Sequence, residues 1–576
     1  MGKMQERKQG KKSYYVYQET YRVKTNPDNS GKKKGSGKSM VKTKAIYLGS
    51  AEKILQCVEQ TKEPISVMTR HFGVIAAAYQ TALEISLQKI LMKHIEGKRY
   101  GIARWIFFFV TIINRLDHST SKNKMSHWLK KTILPDLLDF DPDKFTSKNF
   151  WYVTDDVISE KELIRRRETE NDPDDIFVGL KDEVFNEIEM ELFQHLDQLM
   201  GLSPSVICYD TTNFYTYIEE PKRSELANTC HSKDSKHHLR HVGLLMAVEK
   251  NHGIPLISRV YRANRHDSKV FSYILADLVI ALKKLCGENS DLVIVLDKGN
   301  NSEENFQAMY KEIHWVGSLV PSNHQDLIDL ELSEYQGTWR GEPYYRTKKE
   351  LLNIECAVVV TFNSATKRKQ EHSLMNGIEK LKTEILKKWH SYKKKLKEVP
   401  KGIETMLKES QYGACVKVFL REGFLQFELN EQEIYERKKR FGKSLIFSDM
   451  VDAESGFLID NYRDKSSIED NFQLLKETTI IRFRPMHHWT DTKIRAFAFC
   501  CVVSMTLMRV MQFKVEQAGY PMSAMLLKEE LSDLQEVIMV YSPKEAKRKI
   551  TQLSSVQERL WRIFNLMEIE KKLLLH

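Results

Sequence analysis

The stretch VICYDTTNF, Val206 to Phe214, begins with four apolar residues and places an acidic residue, Asp210, directly after them. A short apolar run of this kind is typical of a buried β-strand. The pattern returns in DLVIVLDKGNNSEENF, where Asp297 follows the apolar run from Leu292 to Leu296. The sequence therefore predicts two buried strands that each end on a carboxylate.

The residues between these two acids predict the rest of a central sheet. HLRHVGLLMAVEKNHGIPLISRVYRA contains two strand-like runs around an Asn-His-Gly turn at 251–253. SKVFSYILADLVIALKKL, 268–285, has apolar residues at helical spacing. Three strands, a helix and a fourth strand, with acids at the ends of the first and fourth strands, predict an α/β fold with a ribonuclease-H-like core.

A third acid stands in NYRDKSSIEDNFQLLK, residues 461–476, which has the pattern of an amphipathic helix. At about 100° per residue, four of its side chains fall within one stripe about 60° wide: Tyr462, Lys465, Glu469 and Lys476. A solvated face with an i,i+4 pair between Lys465 and Glu469 is the ordinary interpretation of such a stripe. The two strand-end aspartates favour a functional site instead.

The remaining segments flank or interrupt this core. About 170 residues separate the second aspartate from the glutamate, far more than a connecting loop needs. They contain strand-like runs and one very basic helix, which predicts an inserted subdomain. The predicted organisation is a basic β-rich segment 1–50, a helical DNA-binding region 51–204, the first part of the core 205–325, a β-rich insertion subdomain with the basic helix 326–450, the second part of the core 451–515 and a helical C-terminal region 516–576.

Composition narrows the class of protein. The chain has 576 residues and a net charge of +11, so we expect several domains and a polyanionic partner. Its eight cysteines have no zinc-binding spacing, which indicates reduced thiols in a cytosolic protein. The start, MGKMQERKQGKK, lacks the apolar core of a signal peptide, and the longest apolar block, Trp105 to Ile113, is too short to span a bilayer. We therefore expect no membrane partner.

Three carboxylates that converge need positive charge between them, because close carboxylates raise each other's pKa. Mg²⁺ and Mn²⁺ prefer oxygen ligands and would supply that charge at Asp210, Asp297 and Glu469. Two such ions about 4 Å apart can activate a water or a 3′-hydroxyl and stabilise the leaving oxygen at a phosphodiester. These three acids are the predicted catalytic and metal-binding residues. Asp267, in NRHDSK, is interpreted as a helix N-cap rather than as a fourth ligand.

At these residues the chain resembles the DDE transposases of bacterial insertion sequences. In one branch of that family the last catalytic acid sits in a Tyr-x2-Arg-x3-Glu-x6-Lys signature. Here the pattern is carried by Tyr462, Lys465, Glu469 and Lys476, with a lysine where the family has arginine. YDTTNF and DKGNNS are similar to the family's first and second acid motifs, and the long β-rich insertion before the glutamate is similar too. The resemblance covers roughly residues 200–515.

The resemblance implies a transposase that cleaves the ends of its own mobile element and joins them to target DNA, using two Mg²⁺ or Mn²⁺ ions. It implies double-stranded DNA as the partner, at the terminal inverted repeats and at the target, and a homodimer in the DNA complex. It also implies action in the bacterial cytoplasm, at the nucleoid. Tyr462, Lys465 and Lys476 would grip DNA near the cleaved end. The lysine at 465 keeps the charge of the family's arginine but loses its bidentate fork.

Two rival functions stay open. One is a metal-dependent nuclease on the same core, without strand transfer. The other is an inactive DNA-binding protein descended from a transposase, against which the intact set of three acids argues.

Two basic segments are further candidates for contact with DNA. The insertion helix, Lys380 to Lys397, is predicted to lie against DNA through three consecutive lysines, Lys393, Lys394 and Lys395. The loop TNPDNSGKKKGSGKSM, 25–40, contains GSGKS but lacks the spacing of a phosphate-binding P-loop. It is predicted to be a solvated basic tip between two strands.

Overall fold

The structure is a computed structural model. It describes residues 2–574 apart from 11, 25–38, 61–62, 171, 173–174, 181–182, 203, 219–222, 231–235, 288–290, 311, 393–397, 485 and 544. The basic tip at 25–38 and the lysines Lys393, Lys394 and Lys395 therefore lie outside the described residues. The chain forms two compact units, one of Met1–Arg70 with Gln535–Gln552 and the other of His71–Leu534 with Leu553–His576.

Strands and helices alternate along much of the described chain. The strands are β1 Lys3–Gln9, β2 Lys12–Lys24, β3 Ser39–Gly49, β4 Ser66–His71, β5 Lys98–Arg99, β6 Ile102–Ala103, β7 Val206–Thr216, β8 Arg240–Glu249, β9 Pro255–Arg262, β10 Val293–Val295, β11 His314–Ser318, β12 Gly337–Trp339, β13 Glu342–Leu351, β14 Ile354–Phe362, β15 Val416–Arg421, β16 Phe424–Leu429, β17 Lys443–Ser448, β18 Gln535–Ser542 and β19 Glu545–Ile550. The α-helices are α1 Ala51–Gln60, α2 Gly73–Glu84, α3 Leu87–His94, α4 Arg104–Asp117, α5 Met125–Leu129, α6 Leu134–Leu138, α7 Ser147–Val157, α8 Glu160–Glu170, α9 Val184–Met200, α10 Asp267–Cys286, α11 Glu303–Met309, α12 Gln325–Ile328, α13 Ser364–His390, α14 Lys401–Glu409, α15 Glu431–Lys439, α16 Ser455–Arg463, α17 Ser466–Lys476, α18 Asp491–Gln517, α19 Ala524–Ser532, α20 Ser555–Ile563 and α21 Leu566–Leu574.

A nine-stranded mixed sheet forms the centre of the second unit, in the order β12-β13-β14-β17-β11-β10-β7-β8-β9. Strands β7, β8 and β9 are antiparallel neighbours, whereas β10 runs parallel to β7 and β11 runs parallel to β10. Helix α10 connects β9 to β10, and α11 connects β10 to β11. The predicted α/β class is confirmed, and the strands that lead to the first two acids are parallel neighbours.

The structure divides the predicted insertion 326–450 into two parts. Strands β12, β13, β14 and β17 extend the central sheet beyond β11. The part from α13 to α15 packs around two apolar clusters of its own, Leu374, Ile378, Cys415, Val416 and Ile434, and Leu381, Ile385 and Ile403. The bounds 326–450 stay a prediction, but four of the strands within them belong to the central sheet. The reason is that β14 is buried on both faces from Cys356 to Val360, which is the pattern of a central strand.

The segments before and after the central sheet agree with their predicted secondary structure to different degrees. Helices α2 to α9 make the segment before the central sheet mainly helical. The predicted helical region 516–576, in contrast, contains the antiparallel hairpin β18–β19, and β18 also pairs with β4 in the first unit. The β18 sequence QEVIMVYS is rich in β-branched and aromatic residues, which favour strands. The prediction of an all-helical C-terminal region is therefore wrong at the hairpin.

Helix α18 is the core helix of the second unit. Among the described residues it is the one helix that is long and apolar enough to cross a membrane. However, 89% of its most apolar window is buried within the fold. Its sequence, apolar nearly all round, is the pattern expected of a helix buried on every side.

Candidate active site

Asp210 and Asp297 are brought together by the parallel pairing of β7 and β10. Val295, the last residue of β10, lies opposite Cys208, so the same register continued by two residues places Asp297 beside Asp210. Strand β7 itself runs on to Thr216 and pairs there with β8. The prediction that Asp210 ends its own strand is therefore wrong. Asp210 lies where β7 continues beyond its parallel neighbour β10.

Both aspartates are fixed by backbone hydrogen bonds. The backbone N–H of Thr211 donates to Asp210 Oδ1 at 2.7 Å. Asp297 stands at the start of the 3₁₀ turn after β10, and the backbone N–H of Lys298 donates to its Oδ1 at 2.9 Å. Asp210 is half-buried, and Asp297 is 39% exposed. Each carboxylate is therefore held in a defined position by the backbone beside it.

The stretch 461–476 forms two helices rather than the single helix predicted. Asp464 and Lys465 lie in a turn between the end of α16 and the start of α17. Aspartate and serine favour turns and helix starts, because their side chains compete for backbone hydrogen bonds, and the turn is followed by two serines. Tyr462 therefore lies on a different helix from Glu469 and Lys476, so the prediction of one continuous stripe is wrong.

The end of α16 and the turn after it are tied to β8. Lys250, which follows β8 directly, donates from Nζ to Asn461 Oδ1 at 2.8 Å. The same ammonium pairs with Asp464 Oδ2 at 3.0 Å. These contacts hold the two-helix turn in place beside the central sheet.

Helix α17 is held to the β8–β9 turn and to α18 by a buried amide. The side chain of Asn471 donates to the carbonyl oxygen of Gly253, in the β8–β9 turn, at 2.7 Å. It accepts a hydrogen bond from Arg509 Nε of α18 at 2.7 Å. At the other end of α17, Ser467 Oγ lies 3.9 Å from Cys208 Sγ of β7. The helix that carries the glutamate is therefore anchored to the strand that carries the first aspartate.

Lys465 links the second aspartate to the glutamate. Its Nζ lies 3.2 Å from Asp297 Oδ1 and 3.7 Å from Glu469 Oε1. The ring of Tyr462 has its centre 5.2 Å from the same nitrogen, and the Tyr462 hydroxyl donates to Asp297 Oδ1 over 3.5 Å. Tyr462 and Lys465 thus both contact Asp297, and Glu469 is related to it through Lys465.

The opposite charges of Asp297 and Lys465 stabilise each other. Burial raises the pKa of Asp297, but the Lys465 ammonium and the hydrogen bond from Lys298 outweigh it, so the pKa lies below its ordinary value. Burial lowers the pKa of Lys465, but the Tyr462 phenol and the Asp297 carboxylate outweigh it, with a further contribution from Asp210. The pKa of Lys465 therefore lies above its ordinary value, and both groups are charged at neutral pH.

Lys476 lies apart from this group. Its Nζ is 5.8 Å from the centre of the Phe214 ring. Phe214 lies on the same face of β7 as Asp210 but four residues further on, about 13 Å along a strand. The structure thus places the last signature residue further along the strand that carries the first aspartate.

Asp267 adds a fourth carboxylate near the first two. It is the first residue of α10, and the N-cap position belongs to His266, so the N-cap interpretation is displaced by one residue. The hydroxyl of Thr211 donates to Asp267 Oδ1 at 2.7 Å. A Cβ atom on Gly299 would lie 3.2 Å from Asp267 Oδ2, so a glycine there allows the turn after β10 to approach closely. In the sequence, Asp267 can be identified as an acid at the first residue of the helix that follows the third strand of the central sheet.

The donor chemistry of the three predicted acids fits a hard divalent cation. Asp210, Asp297 and Glu469 offer oxygen ligands, which Mg²⁺ and Mn²⁺ prefer. The ammonium of Lys465 already places a positive charge between two of these carboxylates. As the described side chains stand, no three acidic, histidine or cysteine groups converge closely enough to ligate one ion. The three acids are thus suited to a metal by chemistry, with a lysine between two of them.

The basic helix of the insertion is α13, which begins well before the predicted Lys380. One side of it faces the local apolar core through Leu374, Ile378, Leu381 and Ile385. Lys380, Lys387 and Lys388 are exposed. The described part of this helix thus combines a buried apolar side with exposed lysines, and its predicted contact with DNA stays a prediction.

Comparison with known proteins adds one family and one solved structure. Residues 201–503 match the model of a family described as a transposase DDE domain. Among solved structures, the chain is similar to a cryo-EM structure of a piggyBac transposase synaptic complex with hairpin DNA, with 11% sequence identity and a TM-score of 0.40, over 80% of this chain and 77% of that chain. No curated protein sequence matches the chain.

Proposed function

Because the chain belongs to the transposase DDE domain family, we propose that it cleaves DNA at the ends of a mobile element and joins those ends to target DNA. Asp210, Asp297 and Glu469 are the proposed catalytic residues, and they would hold two Mg²⁺ or Mn²⁺ ions. The proposed partners are double-stranded DNA, at the terminal inverted repeats and at the target, and a second copy of the chain in the DNA complex. The proposed location is the bacterial cytoplasm.

One observation carries the assignment of the site. Asp210 and Asp297 stand on neighbouring parallel strands in register, while a single ammonium group reaches both Asp297 and Glu469. The strand pairing relates the first acid to the second, and the Lys465 ammonium relates the second to the third. Carboxylates that lie close together are unfavourable without positive charge, so the Lys465 ammonium beside Asp297 and Glu469 supports a site for cations.

In the proposed reaction, the metal ions and the residues of the chain have different roles. When bound, the metal ions would activate the attacking water or 3′-hydroxyl and neutralise charge on the phosphate. Asp297, with its lowered pKa, stays ionised and available as a ligand at neutral pH. Asn471 holds α17, and with it Glu469, against the sheet. Lys465 carries a positive charge at the acids, where a scissile phosphate would need one.

We further propose that the core is ribonuclease-H-like and that the chain comes from the insertion-sequence branch with the Tyr-x2-Arg-x3-Glu-x6-Lys signature. The first point is supported by the five strands β9-β8-β7-β10-β11, in which three antiparallel strands are followed by two parallel ones. The second is supported by Tyr462 and Lys465, which contact Asp297, and by Glu469, which pairs with Lys465.

The proposed function is tested with DNA that carries the inverted repeats flanking the chain's own gene. We expect Mg²⁺-dependent cleavage at the repeat ends and, with precut ends, covalent joining to a target plasmid. Scrambled repeats are the matched control and should be neither cut nor joined. Cleavage without joining would instead identify a nuclease on the same core. Binding without either reaction would identify an inactive DNA-binding descendant.

A further inference from the structure

The net positive charge of the chain comes from one of its two units. The whole chain has 89 lysine and arginine residues and 78 acidic residues. Of these, 20 and 8 lie in the unit formed by Met1–Arg70 and Gln535–Gln552, a net charge of +12, which leaves 69 and 70 in the other unit, a net charge of −1. The unit that contains the candidate active site thus has no basic surplus. A surplus confined to the other unit indicates where a polyanion binds.

Strand register places the cations of the N-terminal sheet on one face. In the β1–β2 pair, Arg7 lies opposite Tyr14 and Lys3 lies opposite Gln18. Side chains alternate between the faces of a sheet, and paired residues share a face. Four exposed cations therefore lie on the same face, which we call the basic face: Lys3, Arg7, Lys12 and Arg22.

The acids of the same three strands lie on the opposite face. Glu6 pairs with Tyr15, and Glu19 pairs directly with Lys44. Lys8 and Lys42 share that second face by the same alternation. Among the described residues of the three strands, the basic face thus carries cations and no carboxylate, whereas the opposite face carries both signs.

The dimensions of the basic face suit duplex DNA. Lys12 and Arg22 are ten residues apart on β2, about 33 Å along a strand, which is close to one helical turn of DNA, about 34 Å. Two tyrosine rings, Tyr14 and Tyr47, lie on this face with their centres 5.3 Å apart. Tyrosine hydroxyls, like lysine and arginine, donate hydrogen bonds to phosphate oxygens.

We propose that the basic face of the β1–β3 sheet binds the phosphate backbone of double-stranded DNA and supplies most of the salt-dependent affinity of the protein. The choice of DNA as the polyanion rests on the proposed function. The binding is independent of base sequence, because lysine and arginine contacts to phosphates carry no sequence information. The second unit has a net charge of −1, so we expect its contribution to this electrostatic term to be smaller than that of the basic face.

The test compares two triple variants of the full chain that each remove three positive charges from the same sheet. One is Lys3→Gln, Arg7→Gln, Lys12→Gln on the basic face, and the control is Lys8→Gln, Lys42→Gln, Lys44→Gln on the opposite face. Binding to a short duplex of arbitrary sequence is measured by fluorescence anisotropy over a series of salt concentrations, without divalent metal. We expect the slope of log Kobs against log salt to fall by about 3 for the basic-face variant and by less than about 1 for the control. Equal slopes for the wild type and the basic-face variant would overturn the proposal.

Further measurements separate folding, ligand class and catalysis. A charge-keeping variant, Lys3→Arg, Arg7→Lys, Lys12→Arg, should keep the wild-type slope, and loss of slope there would overturn the electrostatic explanation. Tighter binding to phosphatidylserine vesicles than to the duplex would overturn the assignment of DNA. The binding assay contains no divalent metal, so it does not depend on cleavage. If the wild type fails to cleave DNA in the separate cleavage assay, that result contradicts only the proposed function. A reduced slope in the basic-face variant would then still support the basic face as a DNA-binding surface.

Discussion

Lys465 Nζ lies 3.2 Å from Asp297 Oδ1, so an ammonium group stands beside a carboxylate that is proposed to bind metal. A divalent cation that binds Asp297 must therefore compete with a charge already present. Lys465→Met keeps the length of the side chain and removes its charge, whereas Lys465→Arg keeps the charge. We expect Lys465→Met to bind Mn²⁺ about two- to fivefold more tightly, the range for losing one ion pair of up to about 1 kcal/mol.

Titration of free Mn²⁺ by electron paramagnetic resonance measures this without any DNA or turnover. Lys465→Arg is the control and should bind Mn²⁺ like the wild type. Unchanged or weaker binding in Lys465→Met would mean that the lysine does not compete with the metal.

Lys476 is predicted to grip DNA near the cleaved end, although it lies along β7 and away from the three acids. Lys476→Ala should weaken binding to the terminal repeat by about 1–3 kcal/mol, the range for losing a hydrogen bond to a charged group. Lys408→Ala, at an exposed position of α14, is the control and should change end binding by less than about 0.5 kcal/mol. Equal affinities of the two variants at fixed salt would remove Lys476 from the DNA-binding residues.

Asp267 is expected to act as a positioning residue for the first aspartate, because it accepts a hydrogen bond from the hydroxyl of Thr211. Thr211→Val deletes that bond and Asp267→Asn weakens it, so both should lower Mn²⁺ affinity about 10-fold, as is usual for groups behind a metal ligand. Asp291→Asn, an exposed acid before β10, is the control. A normal Mn²⁺ affinity in Thr211→Val would show that the bond is structural only.

The predictions from sequence succeeded where the pattern was local. Buried apolar runs identified β7 and β10, and the register of these strands then placed Asp210 beside Asp297. The break between Tyr462 and Glu469 was missed because the apolar spacing continues through the turn, and Asp464 is held there by Lys250, a residue distant in sequence. Tertiary pairing of that kind leaves no periodic signal.

The other errors have the same origin. The sequence places β14 in the insertion subdomain, whereas in the structure it pairs with β17, which follows about 80 residues later. Single-sequence patterns carry no information on such long-range pairing. The sequence predicts helices where hairpin β18–β19 lies, and β18 pairs with β4, which lies far earlier in the chain. The sequence predicts a helix N-cap at Asp267. Its hydrogen bond from the Thr211 hydroxyl comes from a strand far away in the sequence, so local patterns do not indicate it.

His71 should make the second unit less stable as pH rises through neutrality. Its Nδ1 lies 2.7 Å from Asp117 Oδ2, and that hydrogen bond raises the pKa of His71 above 6.5. A raised pKa in the folded state contributes stability that is complete below about pH 6.5 and is lost as pH rises through the folded value. We expect the wild-type Tm to fall more than that of His71→Gln between about pH 6 and 8. Parallel pH profiles for the two proteins would contradict the linkage.

The most direct test of the central claim is single-turnover cleavage of a repeat-end duplex by three variants, Asp210→Asn, Asp297→Asn and Glu469→Gln. Asp470→Asn, which removes an exposed acid next to Glu469 on the same helix, is the matched control. If the three acids hold the catalytic metal ions, each of the three variants should lose Mg²⁺-dependent cleavage while it binds the repeat end like the wild type, and Asp470→Asn should keep both. Near-normal cleavage by any of the three variants would contradict the proposed active site.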